Sequence, residues 1–236
     1  MNPVIHKANT RGHANHGWLD TFYTFSFANY YDPGRVHFGA LRVLNDDTIA
    51  GGGGFGRHPH DNMEIVTIPL EGSLEHKDSM GHTETLVPDE IQVMSAGTGI
   101  YHSEYNHEKD KTLKLLQIWV LPKKMNIPPT YDQKVFDPSG RLNRWQTVVS
   151  PDEEGTLHLN QDAWFSRITL RAGKKTEYSL HNEKNGLYFF VIEGSATIGD
   201  LALERRDGIG ISDITSVSVT ANTDSELLMI EIPISI

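Results

Sequence analysis

The chain has 236 residues, enough to bury one large core or two smaller ones, and no apolar run of about eighteen residues that would suggest a membrane-crossing helix. Its 21 basic and 31 acidic residues leave a net charge of −10, which argues for solubility and against direct nucleic-acid binding through phosphate neutralisation. Cysteine is absent, which excludes disulfides and thiolate metal sites.

Met1 to Lys7 lack the apolar stretch of a secretory signal, so a cytoplasmic protein is expected. The aromatic stretch Trp18 to Tyr31 supplies either core packing or a wall for a flat substrate. Phe38 to Leu44 reads as a strand, and Asn45-Asp46-Asp47 after it as a tight turn. The glycine-rich run Gly51 to Gly56 is followed by neither a helix pattern nor a lysine. Its expected role is therefore to let the backbone turn into the next strand rather than to cradle a phosphate.

That next strand carries His58-Pro59-His60, and a later one carries His102-Ser103-Glu104. Side chains two apart on a strand share a face, so each pair can aim two donors at one point. Two such strands facing each other across a barrel would close a site. Three neutral imidazoles and one carboxylate suit a divalent first-row metal, and four protein ligands leave room for water, oxygen or substrate. Residue parity permits either Glu64 or Glu104 as the carboxylate. The other histidines, His6, His13, His16, His37, His76, His82, His107, His158 and His181, are expected to be surface or hydrogen-bonded residues.

Between and after these pairs come short apolar runs: Glu64 to Leu70, Leu115 to Leu121, Ala163 to Leu170, Leu187 to Ile192, Ser216 to Thr220 and Glu226 to Ile232. Ile198-Gly199-Asp200 reads as a tight turn. Many short strands closed by Gly, Pro, Asp or Asn predict an all-β fold of sandwiches or barrels with only short helices. Glu71-Gly72-Ser73 recurs as Glu193-Gly194-Ser195, and Pro88-Asp89-Glu90-Ile91 is echoed by Arg206-Asp207-Gly208-Ile209. The repeat of about 120 residues predicts two tandem barrels. Lys123 to Thr130, with Pro128-Pro129, is the best linker, which sets the expected units at 1–138 and 139–236. The second unit has only His181 before Gly194, and Val217 to Thr220 where the first has His102 and Glu104. It is expected to hold no metal.

Gly99-Ile100-Tyr101-His102-Ser103-Glu104-Tyr105-Asn106 and His58-Pro59-His60 with Gly72 resemble the two cupin motifs. Arg11 to Asp20, Thr24 to Tyr31, His76 to Gly81 and Met94 to Gly99 resemble, more specifically, the pirin family of bicupins. The likeness is dense over residues 11–120 and thin after about 150, and it is nearest to bacterial pirin-like proteins with quercetin 2,3-dioxygenase activity. Two departures, Pro88-Asp89-Glu90 for Pro–Gly–Asp and Gly97 for proline, touch no ligand. The resemblance implies two cupin-type jelly-roll barrels. It implies one divalent metal per chain, iron first, with Ni, Cu, Zn, Mn or Co as alternatives, held by His58, His60, His102 and Glu104. It makes Glu64 structural or supporting. The implied activity is ring cleavage of a flavonol or similar planar enol with O2, Glu104 acting also as general base. The competing expectation is a non-enzymatic, metal-bearing regulator that works through a protein partner.

Overall fold

The computed structural model describes residues 2–235. Among them the only helical elements are two short 3-10 turns, Ala8–Thr10 and Pro138–Arg141. Everything else regular is strand, arranged as a seven-stranded and a four-stranded sheet, twice.

In the first barrel the large sheet runs Thr130–Val135, Glu90–Ser95, Glu64–Glu71, Leu113–Val120, Leu41–Ile49, Leu19–Tyr23 and Gly12–Asn15. The small sheet runs Gly54–His60, Ile100–Asn106, Leu74–Asp78 and Thr83–Leu86. Leu19, Ile49, Leu113 and Leu115 of the large sheet pack against Leu74 and Leu86 of the small one. A second apolar cluster, Ile65, Met94, Ala96 and Ile100, also joins the two sheets, and His58, His60, His102 and Glu104 lie outside both. In the second barrel the corresponding space is filled, by Phe189, Leu227 and Met229 from one sheet against Val217, Val219, Ile198 and Leu203 from the other.

The repeat is visible in the backbone. Gly72 and Gly194 close equivalent strands, Glu64–Glu71 and Asn185–Glu193, with φ of 80° and 79°. A Cβ at either glycine would strike a backbone carbonyl, that of Thr112 or of Asp224. Both turns therefore need the left-handed conformation and the missing side chain. One strand crosses between the two barrels. Asn2–His6, inside the expected 1–138 unit, pairs antiparallel with Gly208–Ser212 of the second barrel's sheet. Thr130–Val135, which follows Pro128-Pro129, pairs with Glu90–Ser95 of the first barrel.

The large sheets of the two barrels pack face to face through a continuous apolar core that includes Leu44, Val66, Leu116 and Ile118 on one side and Phe165, Phe190, Leu228 and Ile230 on the other. Glu64 sits at the rim of this interface, 1% exposed. Its carboxylate accepts from Ser95 Oγ at 2.9 Å, Asn160 N at 2.8 Å, Asn160 Nδ2 at 2.9 Å and Gln161 N at 2.8 Å. A buried carboxylate is tolerated only when so satisfied, and removing it strands two backbone donors. Glu64→Ala should cost about 3 kcal/mol of stability. The shift of the urea unfolding midpoint measures it.

Candidate metal centre and its cavity

The strands Gly54–His60 and Ile100–Asn106 are hydrogen-bonded neighbours in the small sheet, not opposite walls of the barrel. His102 lies directly across from His58, and a bulge between His102 and Glu104 brings Glu104 opposite Phe55. The convergence expected from two facing strands is thus achieved side by side, because both pairs share the sheet's inner face. The alternation is plain: Tyr101 and Tyr105 are exposed, whereas His102 and Glu104 are buried. Gly54 lets the two strands approach closely, since a Cβ there would strike the carbonyl of Glu104.

His58, His60 and His102 form a triangle with ring centroids 4.9, 4.4 and 4.8 Å apart, and one ring nitrogen from each lies within 4.8 Å of the others. Glu104 joins through His102: a second trio of ligand atoms within 4.8 Å comprises His76, His102 and Glu104. His58 Nδ1–H donates to the Gly56 carbonyl at 2.8 Å, which leaves Nε2 free as a ligand atom and fixes the ring. His60 is pushed down to about 4, first by burial and then by His58. His102 falls to about 2, by burial and then by the neighbouring imidazoles. Both rings are therefore neutral at pH 7, the form that binds a metal.

Glu104 Oε2 accepts from Gln117 Nε2 at 2.9 Å. Among the described residues Glu104 Oε1 and both ring nitrogens of His102 are buried without any hydrogen-bond partner. Buried polar atoms are normally paired, so three orphans at one point mark a place for a ligand. A divalent cation fits them, because neutral imidazoles and a carboxylate are its ordinary donors. Without such a cation, burial pushes the Glu104 carboxyl up to about 7, with Asp47 adding to the rise and Gln117 opposing it.

An open cavity of about 290 Å³ adjoins the cluster, lined by His58, His60, Glu104 and Gln117 on the polar side and by Phe27, Phe55 and Trp119 on the aromatic side. Trp119 meets His60 edge-on at 4.9 Å and Phe27 at 5.2 Å. Asn45 and Asp47 also line it. Their expected turn is in fact the middle of the nine-residue strand Leu41–Ile49. Asn and Asp favour turns in isolation, but here pairing on both sides overrides that preference, and the pleat aims Asn45 and Asp47 inward. Their two-residue spacing, in step with Ile49, was the signal available. Asp47 accepts from Thr21 Oγ1. Its carboxyl is raised to about 7, chiefly by burial.

His76, expected to be an ordinary histidine, lies opposite Glu104 in the small sheet, fully buried. Its Nε2 donates toward Asp78 Oδ2 at 3.3 Å, and His82 Nδ1 donates to the same oxygen at 2.8 Å. Glu64, the rival carboxylate, belongs to the barrel interface described above. In the second barrel His181 is committed elsewhere: Nδ1 bonds Glu231 Oε2 at 2.8 Å, Nε2 lies 3.1 Å from Glu153 Oε1, and the ring stacks on Trp164 at 4.3 Å.

Two jelly-roll barrels with a histidine–carboxylate cluster inside the first define a bicupin. Comparison with known proteins narrows the class. Residues 4–120 match the model of the Pirin family, and residues 147–232 match that of the Quercetinase C-terminal cupin domain. A quercetin 2,3-dioxygenase of Escherichia coli (strain K12) is 46% identical over 230 residues, 97% of this chain and 98% of that one. A pirin-like protein of Caulobacter vibrioides is 40% identical, over 93% and 95%. The crystal structure of the bacterial pirin YhhW of E. coli in complex with nickel(II) superposes with a TM-score of 0.93, at 44% identity, over 98% and 99% of the two chains. The chain belongs to the pirin family.

Asp47 yields a prediction on pH. Its folded value of about 7 lies above the ordinary aspartate value of about 4. Between those values the native state holds the proton more tightly, so stability is lost as pH rises through this window and then levels off. Asp47→Asn removes that loss. Its stability relative to the parent protein should therefore climb from about pH 4 to about pH 7 and stay constant above, as read from urea midpoints at three pH values.

Proposed function

We propose that this protein is a metal-dependent dioxygenase that opens the ring of a flavonol or similar planar enol. One observation carries the reading: a buried carboxyl with a free oxygen stands where the imidazole cluster meets an aromatic cavity. The names of the relatives point the same way. The cavity also favours an enzyme over a metal-bearing interaction protein, because a surface that only reports metal state needs no aromatic chamber beside its ligands.

His58, His60, His102 and Glu104 would hold one divalent ion in the first barrel. The proposed ion is iron, and nickel is the nearest rival, since a relative's structure contains it. When bound, the ion supplies Lewis-acid stabilisation of the substrate's ionised hydroxyl. Phe27, Phe55 and Trp119 hold the flat ring and keep water off it. Glu104 takes the enol proton: the substrate O–H bond breaks, the proton moves to the carboxylate, and the enolate remains in place. Gln117, bound to Oε2, keeps Oε1 turned toward the ligand cluster. Residues 139–236 are proposed to carry no metal, since His181 is spent on Glu231 and Glu153.

Oxygen uptake with a panel of flavonols tests the activity, and no uptake by metal-loaded protein with any of them would sink it. Single alanine replacements of His58, His60 or His102 should each lower metal content sharply, as measured by elemental analysis. Full occupancy in the His58→Ala/His102→Ala double variant would overturn the ligand set. Glu104→Gln should keep measurable metal through the three imidazoles. Its turnover per bound metal should fall by about 10²–10⁴-fold, the usual loss for a general base. Unchanged normalised turnover would reduce Glu104 to a ligand only.

A further inference from the structure

A second cavity, of about 300 Å³, adjoins the one at the ligand cluster. The two share Phe27, Asn45, Asp47 and Phe55 as lining residues, so these four stand at the junction of a two-lobed chamber. The far lobe touches none of the proposed metal ligands. Its walls are aromatic: Trp18 meets Phe55 edge-on at 5.1 Å, and Tyr23 lies 5.6 Å from Phe27. Flat walls at these spacings suit an aryl ring.

The polar groups at the junction decide what such a ring must carry. Asp47 is 3% exposed, and the hydrogen bond it accepts among side chains is from Thr21 Oγ1 to one of its two oxygens. Asn45 is 4% exposed, and its Oδ1 has no partner among the described residues. A carboxylate kept in an apolar wall with acceptor capacity to spare calls for a donor from the ligand. A bare phenyl ring supplies none, whereas a phenolic hydroxyl supplies one in the short, charge-assisted form.

We propose that the far lobe is a subsite for a hydroxylated aryl ring, a phenol or catechol, whose hydroxyl donates to Asp47 while the enol end of the same molecule lies at the ligand cluster. The inference rests on the reading of the near lobe as the site of a planar enol. It goes further by naming a second recognition element and the residue that selects for it. Asp47 is here a specificity residue: it holds the remote ring and takes no part in the proton step.

The test is equilibrium binding to metal-loaded protein under argon, by calorimetry, at a pH above the value of about 7 at which Asp47 loses its proton. The two probes are quercetin, and galangin, the same flavonol without hydroxyls on its pendant ring. The parent protein should bind quercetin about tenfold more tightly, the effect of one hydrogen bond to a charged group. In Asp47→Asn the ratio should fall below about threefold, through weaker quercetin binding with galangin unchanged. A parent ratio within about threefold overturns the subsite. So does an equal loss for both probes in the variant, or no binding of either. Because the parent ratio alone can decide, the test survives a variant that fails to fold. It is also separable from the proposed activity. A tenfold preference without oxygen uptake would remove the dioxygenase reading and leave the subsite, and uptake without preference would do the reverse.

Discussion

The pairing of Gly54–His60 with Ile100–Asn106 is the contact on which the rest of the first barrel depends. A strand has two faces, and a one-residue slip of either strand would turn its own pair, His58 and His60 or His102 and Glu104, away from the interior. The register is held by features with no metal chemistry of their own. Gly54 admits the Glu104 backbone, a bulge separates His102 from Glu104 along the ladder, and Asn106 ties the strand's end to the carbonyls of Ile49, Ala50 and Lys111 at 3.1, 3.2 and 2.7 Å. The apolar cluster around Leu74, Leu86 and Leu113 anchors the other end. The placing of these four side chains is thus a consequence of strand register.

That placing has a cost, and it is desolvation. The chain buries the imidazoles of His76 and His102, the carboxyls of Asp47 and Glu104 and the carboxamides of Asn45 and Gln117 within one barrel, and both Glu104 and Asp47 are driven far from their ordinary proton affinities by burial. Hydrophobic packing between the large sheets, where Phe165, Phe190 and Ile230 meet Val66, Leu116 and Ile118, offsets it. A cation among the ligands would reverse part of the penalty, since a positive charge favours the ionised carboxyl.

Much of this was legible in the sequence. The all-β class, the tandem repeat and the two histidine pairs follow from period-2 patterning and from the glycine turns at Gly72 and Gly194, which are local signals. What was not legible is tertiary. Asn45 and Asp47 read as turn residues because propensity describes an isolated segment, whereas here strands on both sides claim them. His76 carries no motif, and only its register opposite Glu104 makes it a neighbour of the site. Parity alone could not separate Glu64 from Glu104. Their surroundings differ: Glu64 accepts from residues 160 and 161 across the barrel interface, while Glu104 keeps a free oxygen inside. The pirin resemblance pointed to Glu104 without supplying that reason. Nor could a repeat of about 120 residues reveal that Asn2–His6 crosses to the second barrel.

That crossing bears on why the second barrel persists with its interior closed. Its small sheet repeats the first, but Val217 and Val219 stand where the first has His102 and Glu104, and meet Ile198 and Leu203 in an apolar core. A barrel so filled can spare its large sheet for packing, and the first barrel leans on that sheet across the whole shared core. Three kinds of tie join the two: the exchanged strand Asn2–His6, the Glu64 carboxylate held by Asn160 and Gln161, and the Lys7–Asp207 ion pair at 2.6 Å. The polar groups of the first barrel face its interior, between its large and small sheets, rather than this interface. One copy of the fold thus supplies rigidity to the back of the other, which leaves the front free to keep orphaned donors and an open aromatic chamber that a lone barrel of this size would have to fill.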